Sequence, residues 1–263
     1  MTGMVARLLI AALSVLGLFC APNLLADEQL ARTVARIKPA IVGIGTYSIL
    51  KQPAARLLGT GFVVGDGLHV ATNFHVASVE LDTRVKESLV VFIDVGAGHH
   101  GPGSVQYRPA RLTAIDEQHD LALLEMDGPA LPALALGGDI EVREGMSIAF
   151  TGFPIGAVLG LVPVTHQGIV SALTPVATRP DSAKQLSANK IAALRDPFTV
   201  LQLDATAYPG NSGSPVYAHD SGKVVGVINQ VFVKGKKEDM LREPSAITYA
   251  IPIRYLSALL APR

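Results

Sequence analysis

The sequence predicts an all-β protein of two six-stranded antiparallel barrels, with a short helix at each end. Two observations lead there. Short apolar runs, punctuated by glycine, proline and aspartate, follow one another from Ala40 onward and fall into two groups of six. Clear helical periodicity appears near the two ends of the chain.

The first element is an amphipathic helix over 27–38, with Leu30, Val34 and Ile37 on one face and Pro39 stopping it. The first group of strands covers 41–47, 62–64, 68–71, 89–94, 110–115 and 121–126. A stretch at 129–144, with proline, glycine and alternating charge, separates it from the second group. That group covers 147–152, 164–173, 199–204, 215–217, 224–230 and 248–251. A closing helix is expected at 254–260. The domains expected are therefore 27–135, the first helix and barrel, and 136–263, the second barrel and closing helix.

Residues 1–26 read as an export signal. Arg7 supplies the positive charge, Leu8–Phe19 the apolar stretch, and Leu24-Leu-Ala26 a small residue before a cut at Asp27. Twelve apolar residues are too few for a comfortable membrane span. Phe19 ahead of Cys20 argues against a lipid anchor there. Cys20 is the only cysteine, so a processed chain would carry no disulfide. That fits a bacterial periplasmic or secreted enzyme. The 263 residues carry a formal net charge of zero, which argues against a nucleic-acid platform.

Three segments carry chemistry. In Pro209-Gly-Asn-Ser-Gly-Ser-Pro215, Ser212 sits in a glycine-rich turn ahead of an apolar strand. Glycines there allow positive φ, and successive N–H groups can converge on one oxyanion. Gly59-Thr-Gly-Phe62 opens a hairpin that turns at Gly65-Asp-Gly67, and His75 lies just past its second strand. Asp120 stands at the entrance to the strand 121–126, half-buried and in need of a partner such as a histidine N–H. His69, His119, Asp116 and Ser214 are weaker candidates by position.

The order His75, Asp120, Ser212 resembles the chymotrypsin-like (trypsin-like) serine proteases, and more closely their HtrA/Deg branch. The motifs that carry the resemblance are Gly-Thr-Gly-Phe at 59–62, Thr-Asn-Phe-His-Val at 72–76 and His-Asp-Leu-Ala-Leu-Leu at 119–124. They continue with Gly-Phe-Pro-Ile-Gly at 152–156, Gly-Ile-Val-Ser-Ala-Leu at 168–173, the Ser212 turn, and Tyr-Ala-Ile-Pro at 249–252. The barrels would then be of the chymotrypsin type, with the site in the cleft between them.

The resemblance implies that Ser212 attacks a peptide carbonyl, His75 carries the proton and Asp120 fixes the imidazole. Gly210 and Ser212 N–H groups would form the oxyanion hole. It also implies a primary substrate pocket beside Ala205-Thr206-Ala207 and Val227-Ile228-Asn229. Thr206, Val227, Ile228 and Asn229 are its expected substrate-binding residues, and a small or medium apolar side chain the expected guest. Asn211 stands where digestive members carry an aspartate, so activation by a new N-terminus is not expected. Ser214 stands where the family usually has glycine. The sequence stops about ten residues after Tyr-Ala-Ile-Pro without the branch's PDZ domain, so capture of polypeptide substrates is expected to rest on the cleft.

No metal or cofactor is expected; His99-His100 has no third ligand in view. The segment 178–197, with a possible helix at 187–195, reads either as a regulatory region, as the resemblance implies, or equally as a solvated insertion, and 234–244 reads as a solvated hairpin tip. The alternative to an exported serine endopeptidase is a catalytically silent protease fold that binds peptides or acts as a scaffold. An esterase-type hydrolase is opposed by the His-Asp-Ser order and the strand-rich pattern.

Overall fold

The computed structural model describes residues 21–94, 105–138, 140–154, 162–175, 198–229 and 247–261. The apolar stretch 8–19, Cys20, His99-His100 and the segments 178–197 and 234–244 lie outside the described residues.

Helix α1 spans Ala21–Ile37 and so begins ahead of Asp27. Thr33 and Ile37 are buried, with Leu30 and Val34 half-buried on the same face. A 3-10 turn at Lys38–Ala40 contains Pro39 and leads into the first barrel. Its strands are β1 (Ile41–Tyr47), β2 (Ala55–Val64), β3 (His69–Thr72), β4 (Ser88–Asp94), β5 (Val105–Asp116) and β6 (Leu121–Met126). They close antiparallel in the order β1-β2-β3-β6-β5-β4. A four-residue helix, α2 (Phe74–Ala77), follows β3.

The second barrel contains β7 (Ser147–Gly152), β8 (Val164–Pro175), β9 (Thr199–Asp204), β10 (Pro215–Ala218), β11 (Val224–Asn229) and β12 (Ile247–Pro252). Its closed order is β10-β11-β12-β9-β8-β7. Helix α3 (Ile253–Leu260) ends the described chain, with Ile253 and Leu256 buried. Among the described residues no helix is long and apolar enough to cross a membrane.

The continuous apolar runs have a physical cause. Strands β10 and β11 are buried at every residue. Val216, Ala218, Val225 and Ile228 fill the second barrel with Ile148, Phe150 and Leu203. Tyr217, Val224 and Val227 turn the other way and join the apolar cluster that fills the first barrel. A strand buried on both faces shows no alternation. The connection between barrels is also fastened: Leu134 N–H donates to Val63 O at 2.9 Å and Gly137 N–H to Val224 O at 2.7 Å. Helix α1, the first of the described elements, docks on the second barrel. Gln29 Nε2 donates to Asp220 O at 3.1 Å and Arg36 Nη2 to Ser221 O at 2.7 Å.

Candidate active site

Helix α2 carries His75 and the turn before β6 carries Asp120. Asp120 Oδ2 lies 2.6 Å from His75 Nδ1, and its Oδ1 accepts the His75 backbone N–H at 2.9 Å. Both carboxylate oxygens therefore face one histidine. Asn229, at the end of β11, donates through Nδ2 to Asp120 Oδ2 at 2.7 Å. The Asp120 carbonyl accepts from Phe74 N–H and from Asn73 Nδ2, each at 3.1 Å. A carboxylate held this way fixes the Nδ1–H tautomer and leaves Nε2 as the base. His75 has about a third of its side chain exposed, at 34%, against 18% for Asp120.

Ser212 is 6% exposed and sits in a double turn. Asn211 N–H donates to Tyr208 O at 2.9 Å, with Pro209 second and Gly210, at φ 102°, third. That is the residue order of a type II turn, whose third position needs positive φ. The next turn repeats it: Ser214 N–H donates to Asn211 O at 3.0 Å across Gly213, at φ 87°. The turn's own hydrogen bonds are thus donated by Asn211 and Ser214, while Gly213 N–H donates to Ile228 O of β11 at 3.0 Å. Gly210 and Ser212, the expected oxyanion pair, alternate with them in sequence.

The first barrel holds this turn from below. Thr60 N–H donates to Ser212 O at 2.9 Å, and Thr60 Oγ1 donates to Gly210 O at 2.7 Å. The same hydroxyl accepts from Phe153 N–H at 3.0 Å. Gly59 is one point of close approach. A Cβ there would lie 2.9 Å from the Val76 side chain and 3.0 Å from Ser212 O. The residue after His75 and the nucleophile candidate thus converge on one glycine.

A single model for a trypsin-like peptidase domain matches residues 59–227, more than half of the chain. The chain belongs to the trypsin-like peptidase family. The relatives it resembles include HtrA- and DegP-like serine proteases. It is 29% identical over 236 residues to serine protease HTRA1A of Danio rerio, covering 88% of this chain and 40% of that protein. It is 30% identical over 184 residues to a probable periplasmic serine endoprotease, DegP-like, of Pseudomonas putida strain F1, covering 70% of this chain and 31% of that protein. The chain therefore spans well under half the length of these relatives. The fold matches the serine endoprotease of Yersinia pestis with a TM-score of 0.59 at 24% identity, over 87% of this chain and 64% of that one. An HtrA-type protease with a tripeptide gives a TM-score of 0.60 at 24% identity, over 87% and 61%.

Within this trypsin-like peptidase, the expected pocket residues have distinct surroundings. Thr206 is half-buried beside the Ser212 turn. Val227 lies in the apolar cluster of the first barrel, and Ile228 in the interior of the second. Asn229 is fully buried and holds Asp120. The weaker candidates are occupied elsewhere. His69 Nδ1 lies 2.9 Å from Asp66, and His119 Nδ1 lies 2.7 Å from Asp116. Ser214 is buried and its hydroxyl has no partner among the described residues.

The sequence reading did not single out Thr60, Asn73 or His166. Thr60 lies within a quoted motif, but no local pattern marks its partners 150 residues away. His166 stacks on Phe150 at 4.8 Å and lies 6.0 Å from Tyr208, which opens the Ser212 turn. Burial pushes its imidazole below the usual histidine value. Among the described residues, no three His, Cys, Asp or Glu side chains gather as a metal ion would need.

Proposed function

We propose that the chain is an exported serine endopeptidase working through His75, Asp120 and Ser212. The observation that carries this is the doubly anchored pair, His75 Nδ1 at 2.6 Å from Asp120 and its backbone N–H on the same carboxylate. Ser212 Oγ attacks the peptide carbonyl and its proton passes to His75 Nε2. The negative oxygen of the tetrahedral intermediate is held by Gly210 and Ser212 N–H groups. His75 then gives the proton to the leaving amine, and Asp120 stabilises the imidazolium while it lasts. Water repeats the sequence on the acyl-enzyme and restores Ser212.

The substrate class is polypeptide. The described segments 205–208 and 227–229 contain no acidic side chain to hold lysine or arginine, which supports a small or medium apolar residue before the cut bond. The Pseudomonas relative's name places that protein in the periplasm. Together with the signal-like residues 1–26, this supports export of the present chain.

A fluorophosphonate probe tests the nucleophile. The chain should label, and Ser212→Ala should not. Casein digestion by the wild type and not by the variant then separates a peptidase from an esterase. Equal labelling of both proteins overturns the proposal and leaves the peptide-binding scaffold in its place.

A further inference from the structure

Asp120 has a left-handed backbone, at φ 52°. A non-glycine residue keeps this conformation only where its surroundings enforce it. Its carboxylate and carbonyl are held by α2, Asn73 and Asn229. The turn in front of it is held by His119. Asp116, the last residue of β5, accepts the His119 backbone N–H at 3.1 Å through Oδ1. Its Oδ2 lies 2.7 Å from His119 Nδ1, which fixes the plane of the imidazole. That plane lies flat on Tyr255 of α3, with centroids 3.7 Å apart and 17° between planes. Phe198, just before β9, meets the imidazole edge-on at 5.0 Å and 82°. The Arg254 guanidinium lies 4.7 Å from the Tyr255 centroid and completes the charged surroundings. Only 14% of the His119 side chain is exposed.

The neighbour of the proposed catalytic aspartate is thus clamped between its own turn and the C-terminal helix. Tyr255 and Phe198 belong to the second half of the chain, as Ser212 does. Asp120 belongs to the first half. We propose that His119 is a positioning residue for Asp120, and that its stack on Tyr255 ties the aspartate's placement to the second barrel. This rests on the triad proposed above. A clamp of this kind acts on geometry: if it loosens, Asp120 drifts from His75 while the fold survives.

The test uses the full chain and two readouts. The His75 Nδ1 proton, in its 2.6 Å contact with Asp120, should give a far-downfield proton resonance whether or not the protein turns over. Fluorophosphonate labelling reports the reacting geometry. His119→Ala and Tyr255→Ala should lose or shift that resonance, and label about tenfold to 10²-fold more slowly per folded molecule. Tyr255→Phe keeps the ring and should behave as wild type in both. Tyr255→Ala leaves the turn's own residues intact, so it serves if His119→Ala does not fold. The proposal fails if either alanine variant melts lower yet keeps the resonance and the labelling rate. A wild type that shows the resonance but does not label overturns the peptidase proposal alone, because the clamp is still read from the resonance.

Discussion

At the scale of single residues, Asp120 concentrates the most constraint. Its carboxylate serves three donors on two barrels, and its backbone sits where asparagine is almost as well tolerated as aspartate. Asp120→Asn therefore removes the charge without adding backbone strain. It also reverses the tautomer that His75 must adopt, a change that costs about 10⁴ in turnover in enzymes of this triad. Hydrolysis rates should fall on that scale while thermal unfolding stays within a few degrees. Ser214 is the opposite case. Its buried hydroxyl has no partner among the described residues, and a Cβ on Gly152 would meet it at 1.9 Å. Removing an unpaired buried polar atom relieves a desolvation penalty of about 1 kcal/mol. Ser214→Ala should accordingly match or exceed wild type in denaturant unfolding. A loss of more than about 1 kcal/mol would show that the hydroxyl is satisfied in solution.

Elements show what a sequence makes legible and what it hides. Strands β1, β6, β7 and β9 have the bounds read from the sequence, and each is an apolar run with at least half of its residues buried. Strand β2 begins at Ala55, seven residues ahead of its apolar run, because backbone pairing with β1 extends it through exposed Arg56. Strand β5 is similarly longer, from Val105 to Asp116, with no residue fully buried. Hydropathy marks a strand only where a face is dry; pairing continues past that point. The candidate site divides the same way. His75, Asp120 and Ser212 stand in local motifs, whereas the bond from Asn229 to Asp120 spans 109 residues and has no local signal. One element-scale contact predicts a pH response. Glu87, at the entry to β4, lies 2.7 Å from Lys51 of the β1–β2 loop and accepts Asp82 N–H at 3.0 Å. Lys51 first, then the Asp82 N–H and Thr46, hold its carboxyl down at about 2, from an ordinary value of 4.5. The folded value is the lower one, so this stabilisation is complete above about pH 4.5 and is lost as pH falls toward about 2. Glu87→Gln should melt below wild type at neutral pH, and the gap should close across that window. A gap independent of pH would remove Glu87 from the acid response.

At the scale of the molecule, each half of the site depends on the other barrel. Thr60 of the first barrel carries Ser212 and Gly210 of the second through its N–H and its hydroxyl, while its carbonyl is held within the first barrel by Thr72 Oγ1 at 2.7 Å. Asn229 of the second barrel carries Asp120 of the first. These bonds join the barrels in opposite directions, so relative motion of the barrels would disturb the proposed nucleophile and base together. Thr60→Val keeps the shape of the side chain and removes only the hydroxyl. It leaves Gly210 O and Phe153 N–H without their shared partner, at a cost of about 1–3 kcal/mol for each buried group. The Gly210–Asn211 peptide, freed at its carbonyl, would no longer fix the adjoining Gly210 N–H for the proposed oxyanion. Thr60→Val should therefore lower the unfolding midpoint and slow fluorophosphonate labelling by about tenfold or more, toward the cost of losing one oxyanion donor. Thr60→Ser, which restores the hydroxyl, should recover most of the rate. If Thr60→Val unfolds earlier but labels at the wild-type rate per folded molecule, the strap serves stability alone, and the oxyanion turn is set within the second barrel.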